Sequence, residues 1–346
     1  MSDEQVSKVL EDIDDYKNTA FAMIGLANLY RFDDSAKSFR GDVQFFQGRR
    51  FDTSSRNRRT PSSTVTPDLA ILVKGQDAAV AEVKVSLPKD RNLWQRVLEQ
   101  LERYDDDLTG WPTNNGKVKS HDIVLMFHQM RVALVDVLRE AIAAGQVRFE
   151  RPLYGVSFVI STQKDTFLLL RLEMGAPTFD PVRLRLREPV SVPFEVIAVH
   201  YGRFKLWDSR PPIPYLMDLI WREVVADRAA SDDRFATLRR NSHLPVRLTV
   251  NETAEYLQEN FAFNQSLGEK HSGVEGERQP LIPHSEWVRA AIDTFAATGL
   301  GRWVDDKQEQ CEIDYRKENL NVEEFARRYL TTTGGTEEYG GQVAIF

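Results

Sequence analysis

Two short apolar runs, residues 69–73 and 78–85, lie four residues apart and set the strongest limit on the fold of this chain. Each has the length of a strand and almost no polar alternation, the pattern of strands covered on both faces at the centre of an α/β sheet. Lys74-Gly75-Gln76-Asp77 supplies a turn between them. The surrounding periodicity agrees. Val6, Val9, Leu10, Ile13, Ala20, Ile24 and Ala27 recur at helical spacing between Glu4 and Tyr30. Residues 41–51 read as a short strand and 52–66 as a loop. Asp90 can cap a helix whose stripe is Leu93, Val97, Leu98, Leu101 and Leu108, ended by Gly110-Trp111-Pro112. A strand at 123–127, a helix at 132–143 stopped by Gly145, paired strands at 154–160 and 167–172, and β-like alternation over 181–207 complete an α/β sheet with helices on its faces.

A length of 346 residues suits two domains. Pro211, Pro212 and Pro214 mark a boundary, giving residues 1–210 and 211–346. Beyond it, helices at 249–261 and 285–298, the second closed by Gly299 and Gly301, precede two short strands around 302–304 and 311–313. That order predicts a smaller, winged-helix-like α+β domain. The single cysteine, Cys311, excludes an internal disulfide and a cysteine-built zinc or iron–sulfur site, and it points to a reducing, cytoplasmic setting. The acidic start Met1-Ser2-Asp3-Glu4 and the lack of any run of about 18 apolar residues predict neither a signal peptide nor a membrane span.

The net charge of -7 is unevenly spread. Residues 1–230 hold 32 Lys and Arg against 32 Asp and Glu, whereas residues 231–346 hold 13 against 20. The C-terminal domain is therefore the acidic one. Within the neutral part, Lys37, Arg40, Arg49, Arg50, Arg56, Arg58 and Arg59 face only Asp42 and Asp52. Such a stretch is either a phosphate-contacting loop or a solvated flexible one.

Three ionisable residues interrupt the two apolar runs: Asp68, Glu82 and Lys84. Burying Glu82 or Lys84 alone would cost several kcal/mol, so each needs the other, a metal or solvent at a cleft. Being two apart, they point to the same side of their strand. An ion pair of purely structural meaning is the simplest reading. Asp68 opens the preceding strand. With an odd loop, such as 74–76 with Val73 opposite Asp77, Asp68 lies opposite Glu82; a two-residue loop would turn it to the other face. Two adjacent carboxylates repel, and a hard divalent cation, Mg2+ or Mn2+, resolves the repulsion. Without the ion, Asp68→Ala should relieve it. On the following helix, Gln100 and Tyr104 are four apart and share a face. His121 and His128, seven apart and on opposite faces of their strand, suit ordinary surface or core roles better than a zinc pair, Cys311 reads as an inert thiol, and no glycine-rich phosphate loop occurs.

Pro67-Asp68, Glu82-Val83-Lys84, Gln100 and Tyr104, in that order, resemble the PD-(D/E)xK nuclease superfamily, in particular its RecB-like and lambda-exonuclease-like branch with a Q-x-x-x-Y motif. The resemblance covers residues 1–130. It implies a restriction-endonuclease-like mixed sheet flanked by helices and a metal-dependent DNA nuclease serving restriction, phage defence or repair. Asp68, Glu82 and the Val83 carbonyl would hold the metal, joined by an acid of the first helix; Glu11, Asp12, Asp14 and Asp15 qualify by type, Asp14 lying nearest the apolar stripe. Lys84 would position the attacking water and stabilise the phosphorane, and Gln100 and Tyr104 would orient the scissile phosphate or the lysine. The competing reading is a non-catalytic, nuclease-like module that docks through its acidic C-terminal domain on a partner protein. There, helix 285–298 offers Arg289 against Glu286 and Asp293.

Overall fold

The structure is a computed structural model that describes residues 2–33, 38–39, 42–54, 64–73, 77–85, 91–113, 116–161, 167–193, 204–207, 209–236, 243–262, 282–315 and 320–333. Arg56, Arg58 and Arg59, and the capping residue Asp90, lie outside them. No helix among the described residues is long and apolar enough to cross a membrane. These residues form two compact units. One takes 2–17, 204–262 and 282–333; the other takes 18–193.

The second unit is mixed α/β. The helix α1 (Asp3–Arg31) leads to a two-residue pair, β1 (Phe32–Asp33) and β2 (Ser38–Phe39). Then follow β3 (Val43–Phe46), β4 (Phe51–Ser54), β5 (Thr64–Val65), β6 (Leu69–Val73), β7 (Asp77–Lys84), α2 (Arg91–Tyr104), β8 (Asp107–Thr109), β9 (Ser120–His128), a 3₁₀ turn (Gln129–Arg131), α3 (Ala133–Ala143), β10 (Leu153–Ser161), β11 (Phe167–Met174), α4 (Asp180–Arg185) and β12 (Val190–Pro193). The large sheet has the order β12-β11-β10-β9-β7-β6-β3. Its centre, β7-β9-β10, is parallel and its flanks are antiparallel. Parallel neighbours require crossovers, and α2 and α3 provide them. Both helices cover one face: Val97, Leu98 and Leu101 of α2 and Val135 and Leu138 of α3 pack on Ala70, Leu72, Val80, Ile123, Leu125 and Phe127. On the other face, α1 approaches β11 so closely that a Cβ at Gly25 would lie 2.5 Å from Leu168 Cδ2. A larger residue there would have to displace the Leu168 side chain.

Four sequence expectations change. The stretch 41–51 is two strands in separate sheets, because the chain turns between Gln47 and Arg50 with Gly48 at φ 58°. Within 52–66, β4 and β5 pair with each other. Leu108 does not extend α2; it belongs to β8, opposite Thr53. The helix ends at Tyr104, and Asp105 turns its carboxylate to the Glu150 and Arg151 amides instead. The alternation at 181–207 begins as the helix α4, opened by Pro181: Val182 and Leu186, four apart, are buried, while Leu184 between them is exposed.

In the first unit, α5 (Ile213–Leu219) continues through a π-helical stretch (Ile220–Val225) into α6 (Ala226–Ala230). Then come β13 (Leu244–Thr249), α7 (Val250–Phe261), α8 (Ser285–Ala297), β14 (Gly301–Trp303), β15 (Gln310–Tyr315) and α9 (Val322–Thr333). The strands form an antiparallel sheet in the order β13-β15-β14. Thr249 caps α7 by accepting from the Glu252 amide at 3.2 Å. The core contains Trp221, Leu248, Leu257, Phe295, Ile313 and Phe325, together with Val6, Val9, Ile13 and Tyr16 of α1. The apolar stripe at the start of α1 thus finds its partners about 190 positions on, from Leu206 onward.

Candidate active site

Val73 pairs with Asp77 and Leu69 with Ala81, so three residues separate the paired strands. One further step in this register sets Asp68, in the bend before β6, opposite Glu82. The odd count puts both carboxylates on one side of the sheet. Glu82 and Lys84 share the side chain direction of Val80 and face α2. Asp68 Oδ2 accepts from the Val83 amide at 2.7 Å, which ties the start of β6 to the end of β7.

Glu82 is 2 % exposed, and each of its oxygens accepts a hydrogen bond. The Lys84 ammonium donates to its Oε1. Gln100 Nε2 and the Tyr104 hydroxyl donate to Oε2 at 2.8 and 2.7 Å, and Gln100 Nε2 is also 2.8 Å from the Tyr104 hydroxyl. Spacing of four along α2 stacks these two side chains, and the backward tilt of helical side chains carries Tyr104 toward the end of β7. Burial pulls the Lys84 pKa down, but the charges of Glu82 and Asp68 and the hydrogen bond to Glu82 outweigh it and hold the pKa above the usual lysine value. The Tyr104 hydroxyl is pushed far up, by burial first and then by the charges of Glu82 and Asp68. The site thus sets the Glu82 carboxyl group against the Lys84 ammonium, the Gln100 amide and a Tyr104 hydroxyl that keeps its proton, with the Asp68 carboxyl group alongside.

His121, which reads from sequence as an ordinary histidine, supports this arrangement. It is buried, and its Nε2 lies 2.7 Å from the carbonyl of Tyr104, the last residue of α2. A carbonyl only accepts, so Nε2 carries the hydrogen. Nothing local in sequence signals a contact across 17 positions. Removing it leaves a helix-end carbonyl without that donor, and His121→Ala is expected to cost about 2 kcal/mol, read as a lower urea midpoint.

The other sequence candidates fall as follows. Arg49 donates through Nε and Nη2 to the Gly110 carbonyl, the former at 2.8 Å, and its guanidinium lies over the Phe46 ring, so part of its role is to hold the turn. Arg50 is exposed. Asp14 is exposed on α1, 4.0 Å from Lys17, and belongs to the other compact unit. Cys311 is buried, which pushes its thiol up to about 11 and leaves it inert.

Asp68 and Glu82 are hard oxygen donors of the kind Mg2+ and Mn2+ take. Among the described residues no group of three or more His, Cys, Asp or Glu is gathered for a metal. Magnesium commonly keeps several waters and needs only one or two carboxylates, so this pair fits by donor chemistry. The chain matches no protein-family profile, no curated protein and no solved structure.

Proposed function

We propose that the chain is a metal-dependent DNA nuclease with a PD-(D/E)xK-like core. The observation that carries this reading is the convergence of Asp68, Glu82 and Lys84 at one end of the β6–β7 hairpin, with Gln100 and Tyr104 reaching Glu82 from α2. The antiparallel hairpin that passes through α2 into parallel β9 supports a restriction-endonuclease-like core. In the other unit, the order helix, strand, two helices and hairpin, with β15 between β13 and β14, supports a winged-helix-like fold.

Asp68 and Glu82, with the Val83 carbonyl, would hold Mg2+ or Mn2+. When bound, the ion lowers the pKa of a water and neutralises charge on phosphoryl oxygens. Lys84, charged at neutral pH, would orient an attacking water and stabilise the charge developing on the phosphorane. Tyr104 remains a proton donor and, with Gln100, fixes the direction of the Glu82 carboxylate.

Purified protein incubated with circular and linear DNA is expected to cleave in magnesium or manganese and not in EDTA. Nicking of circles would mean internal cutting, and loss of linear DNA alone would mean attack from ends. A protein that neither cuts nor binds DNA in any of these conditions would overturn the proposal and favour a protein-docking module. For the basic stretch, Arg50→Gln is expected to weaken DNA binding and to flatten the slope of log affinity against log salt by about 0.9, the change for one lost phosphate contact. An unaltered slope would assign Arg50 to solvent.

A further inference from the structure

The parallel register sets Lys84 beside Phe127 of β9, one residue before that strand ends at His128. The chain then crosses, through the 3₁₀ turn Gln129–Arg131, to α3 on the same face of the sheet as Glu82 and Lys84. Neighbouring strands are about 4.8 Å apart and three residues span at most about 11 Å, so Met130 stands within about 16 Å of Lys84, or five base steps of a duplex. The turn is built rather than loose. His128 Nδ1 accepts from the Met130 amide at 3.4 Å, the Val132 amide donates to the Gln129 carbonyl at 3.2 Å, and the His128 ring rests edge-on against Phe158. Yet Met130 is 80 % exposed, more than the other exposed large apolar residues described, and Val132 is 46 % exposed. Arg131 between them is exposed as well.

A single exposed apolar side chain means little. Here a long, unbranched one projects from a hydrogen-bonded turn just beyond the strand end that sets Phe127 beside Lys84, with the exposed Arg131 next to it. Methionine is among the side chains that wedge between base steps, and arginine pairs with phosphate. We infer that this turn is a DNA-engaging element: Met130 inserts against a base near the scissile phosphate and unstacks it, while Arg131 holds a flanking phosphate. The inference rests on the nuclease reading.

The test uses the full chain with DNA duplexes carrying 2-aminopurine at successive positions, in calcium. Wild type is expected to bind with a several-fold rise in 2-aminopurine fluorescence at one or two positions. Met130→Ala is expected to bind about tenfold more weakly, to lose that rise and to cut DNA more slowly in magnesium, with an unchanged melting temperature. Arg131→Gln should keep the rise but flatten the salt slope by about 0.9. Leu184→Ala, which alters another exposed apolar residue of the same unit, should behave as wild type. Wild-type cleavage, binding and fluorescence in Met130→Ala would overturn the inference while leaving the nuclease reading intact, as would an effect confined to self-association. A wild-type chain that neither binds nor cuts DNA would overturn both.

Discussion

Lys84→Met is expected to abolish DNA cleavage and to lower stability at pH 7 by about 3 kcal/mol, the scale for removing one partner of a buried ion pair. The loss sits at the low end for such a change because Glu82 keeps Gln100 and Tyr104 as donors. Adding Glu82→Gln to that variant removes the uncompensated charge and should recover most of the stability and none of the cleavage, which separates the two roles in one double-mutant cycle. The pH dependence has a fixed sign. The folded-state pKa of Lys84 is raised, so its contribution is complete below about pH 10.5 and is lost as pH rises through the folded value; Tyr104 shifts in the same direction. Wild-type and Lys84→Met urea midpoints should therefore converge only at strongly alkaline pH. A Lys84→Met protein that cuts DNA at the wild-type rate would sink the proposed chemistry.

Asp68→Ala is expected to abolish cleavage and the stabilisation by metal. Wild type in magnesium at a hundred times its dissociation constant should gain about 2.7 kcal/mol, and the variant close to nothing, as read from melting temperature across a magnesium titration. Without metal, the structure reverses the sign expected from carboxylate repulsion. Asp68 accepts from the Val83 amide and its charge helps to hold the Lys84 proton, so the variant should lose about 1 kcal/mol. Asp68→Asn keeps an acceptor for that amide and should lose less while still failing to respond to magnesium. A full magnesium response in Asp68→Ala would place the metal elsewhere.

The meeting of Asp68 with Glu82 was legible in the sequence because side chain direction along a strand depends only on parity, and an odd loop was one of two cases open at the turn. Gln100 and Tyr104 were legible for a similar reason, since a spacing of four fixes a helix face. Leu108 misled because it continues a helical period by number alone; the period carries no information about where α2 stops. In α4, Val182, Leu184 and Leu186 satisfy both a strand and a helix pattern, and Pro181 favours the helix. His121 was out of reach of any local pattern, because its partner is a backbone carbonyl brought to it by the β7–α2–β9 crossover. The stripe on α1 announced a buried face without naming what would bury it.

That stripe has a consequence for synthesis. Val6, Val9, Ile13 and Tyr16 are made well before the residues they pack against, which begin about 190 positions later. At about 5–20 residues per second, that is a wait of roughly 10 to 40 s. The sheet unit can close during this interval while the head of the chain still lacks its core. Its apolar face then lacks these partners, and it begins to be covered only once Trp207 and Tyr215, the rings that meet Tyr16, have been made.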